Sequence, residues 1–578
     1  MADRRTGAKP GARKVALLER KGRFTSAVPL FERGQAIALD RKTRTREGQI
    51  GWVEFGAGRA RLVRDLGRID NARDVSEALT LERLGRRGFS KAVEDAAESA
   101  AASPVEVPRQ DLTGLPTFTV DPASARDFDD AVSARREGDG VRLWIHIADV
   151  SAFVRPGSIL EKEAFLRANS TYVPTSVEPM LPHRLSSGVC SLSPGEVRLA
   201  VTTELVLTAA GEVASVAFYR SRIRSDARLD YDQLDRIFAR REEAPQQVAE
   251  QIGLARQAAA VLADRRKGSA LEVHSSEPGF EFDEDGNVIR AVAERQTEAH
   301  RLIEQLMVVT NEQVAQLTSS RGIPSVYRVH EMPDPDRVER MLSQLASLDL
   351  PAPPLPAGMG PTTAGEIAVE ASRNVAREAE RRGHGASAYS SLILRSLKPA
   401  RYLEKNLGHA GLGSEAYCHF TSPIRRYPDL LVHRALLSAV GGGEEAPSTG
   451  DVAEAALHAS EREREAMILE RDADDICGAF LLERELFEEG YEKRFEGEVS
   501  GVIRSGCFVR FGGRLGDVYE GFVPARRIRG ERFELNEEET SLVGSKTGRK
   551  VSLGDSLAVR VEKVDSPLGR VDLEPFDG

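Results

Sequence analysis

The sequence predicts a multidomain α+β protein in which two small antiparallel β barrels flank one large mixed body. Three observations predict it. Short runs of alternating apolar and polar residues, separated by Gly and charged turns, fill residues 13–73 and return at 491–578, which is the pattern of small barrels. Between them, strand-like alternation gives way after about residue 245 to long stretches of helical periodicity. The length of 578 residues accommodates three or four domains of roughly 150 residues each. Apolar residues at 41% and charged residues at 29% describe an ordinary globular chain.

Residues 1–12 read as a disordered basic N-terminus without the apolar segment of a secretion leader. No run of 18 apolar residues predicts a membrane span. The first barrel, 13–73, is built from "RKVALLERKGRFTSAVPLF", "GQAIALDR", "GQIGWVEFG" and "RARLVRDLG". Phe24, Phe31, Trp52 and Phe55 lie there among Arg23, Arg44, Arg46 and Arg59. Such aromatics either fill the barrel or form a platform on which bases stack while the cations follow phosphates. Residues 1–68 hold 17 Lys and Arg against 7 Asp and Glu, a net of +10, which leaves −20 for the remainder of a chain of net −10. A basic arm on an acidic body fits a polyanionic partner, or simply a solvated tail.

Residues 74–108 read as a helical linker ending in "AAESAAASP". The body, 109–490, opens on hairpins: "AVSARR" pairs with "GVRLWIHIADVSAF" across "EGDG", and "LAVTTELVLTAAGEVASVAFYRSRI" turns at Gly211. Helices follow, among them "TEAHRLIEQLMVVTNEQVAQLTSS" and "EAALHASEREREAMILERDADDICGAFLLERELFEEG", with "LPAPPLPAGMGPTT" as a Pro-rich loop. Cys190, Cys418, Cys477 and Cys507 form no CxxC pair, so neither disulfides nor a zinc site is expected, and a reducing cytoplasm fits.

The chemistry concentrates in "TFTVDPASARDFDDAVSARR", from Thr117. Asp121 ends a strand, and Asp127, Asp129 and Asp130 fall in the loop leading to the next. Crowded carboxylates repel unless a cation or proton intervenes. Hard oxygen donors suit Mg²⁺ or Mn²⁺, while the turn glycine and closing glutamate of a calcium loop are missing. A solvated acidic loop and a helix-capping cluster are the plainer alternatives. A second locus, "HFTSPIRRYPDLLVHR", sets Arg425 and Arg426 beside Tyr427. Guanidinium groups grip phosphate in a fork and keep their charge. Together the loci supply the two halves of a phosphodiester-cleaving site.

The chain resembles the RNase II/RNase R (RNB) family of hydrolytic 3′→5′ exoribonucleases. The resemblance rests on "DPASARDFDDA", "LWIHIADVSAFV", "NSTYVPTSVEPMLPHRLSSGVCSLSPGEVRLA", "RSDARLDYDQL", "YRVHEMP" and "FTSPIRRYPDLLVHR", in unbroken order over about 120–435. It implies an RNB catalytic domain between OB-fold barrels, cold-shock-type at the N-terminus and S1-like at the C-terminus. In the S1-like barrel, "GVIRSGCFVRF" places Phe508 as an RNA-binding aromatic. By the same resemblance Asp121 and Asp130 are direct Mg²⁺ ligands and Asp127 helps hold that ion. Asp129 serves a second metal or orients the attacking water, in a two-metal scheme. Arg425 would stabilise the scissile phosphate, with Arg426 as a weaker candidate, either a further RNA contact or a structural residue. Asp127, Asp129 and Arg425 are thus the catalytic candidates.

For the nucleotide, the resemblance implies that Tyr231 grips the 3′-terminal residue, Tyr172 stacks on a base further up the channel, and Glu304 accepts from the 2′-hydroxyl. Glu470 would lie near the exit. Taken alone, each tyrosine is more often core packing than a ligand. Two departures stand out. Relatives clamp the terminal base with a phenylalanine where this chain offers Val273 or His274, so looser holding of the last nucleotide, or a different final product length, is expected. "LRSLKPARY" also differs from the Met and Gln usual around its basic residue. The resemblance implies a processive, Mg²⁺-dependent enzyme, a monomer without an obligate protein partner, degrading single-stranded RNA to nucleoside 5′-monophosphates. The rivals are a catalytically inactive RNB-type RNA-binding regulator, against which the four aspartates and Arg425 speak, and a metal-dependent DNA exonuclease, against which Glu304 and Tyr231 speak.

Overall fold

A computed structural model describes residues 11–576 except 22–23, 41–43, 57, 269–270, 272–277, 294–295, 357, 514–515 and 529. Most of the basic N-terminus, Arg23, Val273 and His274 therefore lie outside the described residues.

The chain opens with a five-stranded sheet of β1 (Arg13–Lys21), β2 (Phe24–Pro29), β3 (Ile37–Ala38), β4 (Gln49–Phe55) and β5 (Ala60–Arg68), in the order β3-β2-β1-β4-β5. A bridge between Leu39 and Ala60 brings its two edges together. Phe55 is fully buried inside this sheet, and Phe31 and Trp52 pack beneath it. Phe24, 71% exposed, is the most open of the four rings, and Phe31 and Trp52 are half-buried. Three of the four aromatics are thus spent on packing.

Two helices follow, α1 (Ala72–Leu84) and α2 (Lys91–Ala102), each begun by a side-chain cap, Asn71 on the amide of Asp74 and Ser90 on that of Val93. The body is organised on a seven-stranded sheet. Its members are β6 (Gln110–Asp111), β7 (Phe118–Asp121), β8 (Asp130–Glu137), β9 (Gly140–Ala148), β12 (Val197–Leu207), β13 (Val213–Arg224) and β14 (Ala227–Asp230), in the order β14-β7-β8-β9-β12-β13-β6. Between β9 and β12 lie α3 (Ile159–Arg167) and the small hairpin β10 (Thr171–Val173) and β11 (Ser176–Glu178). Both expected hairpins form. Gly138, at φ +58°, allows the tight turn from β8 to β9, since that backbone conformation strains any residue with a Cβ. Strand β9 is buried on both faces, which explains its nearly continuous apolar sequence.

The helical half comprises α4 (Tyr231–Phe238), α5 (Ala249–Arg266), the hairpin β15 (Pro278–Phe282) and β16 (Val288–Ala293), α6 (Glu298–Ser320), β17 (Tyr327–Val329), α7 (Pro335–Ser347), α8 (Pro361–Arg382), α9 (Ala386–Ser396), β18 (Arg401–Leu403), α10 (Tyr427–Ala439) and the long α11 (Thr449–Glu489). Beyond it, β19 (Arg494–Ile503), β20 (Gly506–Gly513), β21 (Gly516–Pro524), β25 (Ser556–Asp565) and β26 (Arg570–Pro575) close a five-stranded barrel. A three-stranded sheet, β22 (Phe533–Leu535), β23 (Ser541–Gly544) and β24 (Lys550–Ser552), is inserted within it.

The hydrophobic cores do not follow the sequence boundaries. Helices α7, α8 and α9 share one continuous core with the C-terminal barrel, through Leu342, Ile367, Tyr389, Val499 and Phe511 among others. Helix α11 contributes to four cores: Val452 and Ala456 to the body, Leu469 and Ile476 beneath the N-terminal sheet, Cys477 to a small cluster with Ala72 and Val288, and Leu482 and Leu486 to the C-terminal barrel.

Candidate active site

The acidic residues converge because of strand pairing. Asp121 closes β7 and Asp130 opens β8, so Asp130 belongs to the strand rather than to the loop the sequence predicts. The connection between them is anchored at Phe128, whose amide donates to Ser191 Oγ at 3.0 Å and whose carbonyl accepts from the Leu192 amide at 2.9 Å. That tether comes from "CSLSPGEV", a stretch whose structural duty the sequence does not advertise. On the other side of β7, Asp121 pairs in register with Asp230, the residue just before Tyr231. Tyr231 thus starts α4 directly beside the acids.

Asp129 is almost wholly buried. Its Oδ1 accepts from the Ile424 amide at 2.9 Å, and its Oδ2 lies 3.4 Å from Arg425 Nε. Burial pushes its carboxyl up to about 8, against the pull of Arg425 and the Ile424 amide. Burial likewise raises Asp121, reinforced by the charges of Asp130 and Asp129, and burial raises Asp130. Asp121 Oδ2 and Asp130 Oδ2 are buried without a hydrogen-bond partner. Asp127 is half-buried nearby and adds to the field on Asp121, Asp129 and Tyr172. Among the described residues no three His, Cys, Asp or Glu side chains stand ready-made around one metal position. The unpartnered buried oxygens nevertheless fit a divalent cation chemically, since hard anionic oxygens in low dielectric require positive charge.

The arginine loop is held from both ends. Ser422 donates its amide to Asp429 Oδ1 at 2.8 Å, and the Ser170 amide donates to the Arg425 carbonyl at 2.9 Å. The two arginines then part. Arg425 Nη2 donates to Ser422 Oγ at 3.1 Å, and its side chain remains 47% exposed, open to a ligand. Arg426 is committed to Asp429 through Nε at 2.9 Å and Nη2 at 2.8 Å. That fork grips a fully buried carboxylate, which gives Arg426 a structural duty, and the residue also lines the same cavity as Arg425.

Around Arg425 opens a cavity of about 290 Å³, lined by Ser170, Tyr172, Arg425, Met467 and Glu470 among others. Glu470, from α11, accepts the Tyr172 amide at 2.8 Å. Tyr231 stacks on His300, ring centroids 3.8 Å apart and planes 13° from parallel. Glu304 is exposed one turn further along α6. His300 is the residue that sequence reasoning missed; its place one helical turn before Glu304 was the available signal. Phe508 belongs to the C-terminal barrel, half-buried and tilted against Phe522 with centroids 5.2 Å apart. The "LRSLKPARY" departure has a local meaning: Lys398 and Arg401 both pair with Glu331, at 2.9 and 2.6 Å.

The RNB domain profile matches residues 109–442, more than half of the chain. The chain belongs to the RNB domain family. A curated relative named Ribonuclease R 1, from Lactococcus lactis, is 34% identical over 521 residues, covering 87% of this chain and 61% of its own length. Ribonuclease R from Thermotoga maritima is 32% identical over 543 residues, 89% of this chain and 72% of its own. The chain therefore spans only part of the length of these relatives. A solved structure, Mycoplasma genitalium RNase R in complex with ribose methylated single-stranded RNA, superposes with a TM-score of 0.85 over 98% of this chain and 90% of that one, at 24% identity, and shows the shared fold. The RNB match takes in the aspartates, Tyr172, Tyr231, Glu304 and Arg425, while Glu470 and Phe508 lie beyond it.

All four cysteines are buried and unpaired. Among the described residues no helix is long and apolar enough to cross a membrane.

Proposed function

We propose that this chain is a hydrolytic 3′→5′ exoribonuclease that degrades single-stranded RNA processively to nucleoside 5′-monophosphates. The observation that carries the reading is Arg425 beside Asp129, with unpartnered buried oxygens on Asp121 and Asp130. Asp121, Asp130, Asp127 and Asp129 would hold Mg²⁺ or Mn²⁺, as a pair of ions. When bound, the metal would polarise the phosphate and lower the pKa of attacking water.

The protein's own groups do the rest. Arg425, oriented by Ser422 and Asp129, binds the phosphoryl oxygens and offsets charge that grows in the transition state. Asp129, whose oxygens already take one amide and one guanidinium, ties the arginine loop to the acids. Tyr231 stacks on the terminal base, Glu304 accepts from the 2′-hydroxyl, and Tyr172 supports a base upstream, its backbone held by Glu470. The flanking sheets act as OB-fold modules, cold-shock-type over 13–73 and S1-like over 491–578, that hold the strand through exposed rings such as Phe24 and half-buried ones such as Phe508. The chain works as a monomer, and its buried thiols fit a reducing cytoplasm.

Matched 5′-labelled RNA and DNA oligonucleotides, incubated with Mg²⁺, with Mn²⁺ or with EDTA, test the proposal. RNA shortened from its 3′ end with release of nucleoside 5′-monophosphates, metal-dependent and at least tenfold faster than DNA, supports it. RNA bound but uncut with either metal leaves an RNA-binding regulator instead.

A further inference from the structure

Tyr231 and His300 each occupy the first turn of a helix, and the two turns are pinned together. Tyr231 starts α4 behind the N-cap Asp230, which accepts the Gln233 amide at 2.7 Å. One turn on, Asp235 Oδ1 accepts the Ala299 amide at 3.0 Å, so α4 caps the start of α6. His300 is fixed in its turn: its Nδ1 lies 2.7 Å from Thr297 Oγ1 and accepts from the Thr297 amide at 3.4 Å. The His300 ring is held by Thr297, and the Tyr231 ring packs against the core of the body. At 3.8 Å between centroids the pair is in contact, whereas a base inserted between them would need about 7 Å, twice the carbon contact distance.

We propose that His300 is a positioning residue of this site: it backs the Tyr231 ring so that only one face remains open, and the 3′-terminal nucleobase stacks there on one side only. This rests on the exoribonuclease reading above. The physical gain is pre-organisation. A phenol ring free to turn about χ1 loses rotamer entropy when a base settles on it, and a ring already held by a neighbour does not. With Glu304 one turn further along α6, a single rigid helix start presents both the backing of the base platform and the acceptor for the ribose.

The test uses an oligoribonucleotide with 2-aminopurine as its 3′-terminal base, bound in EDTA so that nothing is cleaved. Wild type should quench the probe on binding. His300→Ala should lose at least half of that quench, and His300→Phe, which keeps a ring but not the bond to Thr297, should restore it. With Mg²⁺, His300→Ala should lower kcat several-fold while KM for a long RNA stays within about twofold, because upstream contacts still hold the strand. A quench in His300→Ala equal to wild type overturns the proposal. So does a His300→Phe variant as weak as His300→Ala, which would assign His300 to helix capping alone, or a wild type that binds without quenching. Failure of the wild type to cut RNA while it still quenches would sink the exoribonuclease reading and leave the stacking platform standing.

Discussion

Arg426 holds Asp429 with both arms of its guanidinium, and Asp429 in turn accepts the amide of Ser422. Adjacent arginines therefore carry different burdens: Arg426 keeps the loop in shape and Arg425 faces the acids. Removing Arg426 breaks a two-armed grip on a wholly buried carboxylate, whereas removing Arg425 takes only one 3.4 Å ion pair from Asp129.

Arg425→Ala should lower kcat by about 10²–10³-fold with a smaller loss of thermal midpoint than Arg426→Ala. Arg426→Ala should cost about 3–5 kcal/mol of stability, read as a lower denaturant midpoint. Equal stability losses in the two variants would contradict this division.

Asp129→Asn keeps an oxygen for the Ile424 amide but removes the negative charge beside Arg425. Turnover should fall by at least 10³-fold while affinity for an oligoribonucleotide in EDTA changes less than about threefold. Cleavage at the wild-type rate would remove Asp129 from the mechanism.

Buried carboxylate oxygens without partners destabilise the chain when no cation is bound. The double variant Asp121→Asn, Asp130→Asn should therefore match or exceed wild-type stability in EDTA, by up to about 1–2 kcal/mol, and lose any rise in melting temperature on adding Mg²⁺. A destabilised double variant in EDTA would show that the acids serve the fold rather than a metal.

His146 and His433 are buried, and burial lowers their pKa values from 6.5 to about 3 and about 4. Their folded values lie below the unfolded value, so the unfolded chain binds more protons in acid. Their contribution is intact above about 6.5 and is lost as pH falls toward 4, at about 1.4 kcal/mol per pH unit for each histidine. His146→Gln should flatten the acid limb of a stability curve measured from pH 7 to 4.5. The difference between variant and wild type is the readout, because the raised aspartates titrate with the opposite sign.

Local pattern made much of the molecule legible. Alternation and "EGDG" carried the hairpin of β8 and β9, and four aspartates in ten residues marked the acidic half of the site. Pairings made across the fold were not legible. Tyr231 against His300 depends on how α4 meets α6, and the shared core of α7–α9 with the C-terminal barrel depends on which apolar faces meet. The same limit bears on Arg426: the sequence leaves its duty open between RNA and structure, and only the fold shows Asp429, in the first turn of α10, taking its guanidinium. Val273 and His274, where the base clamp is expected to differ, lie outside the described residues.

Helix α11, 41 residues and about 60 Å long at 1.5 Å per residue, works as a caliper bar rather than a tether. Each jaw is one of the two terminal β modules, clamped to it by its own set of apolar contacts. The gap between the jaws is then a dimension built into the protein, and thermal motion that would swing modules freely on a supple linker can do little to widen it.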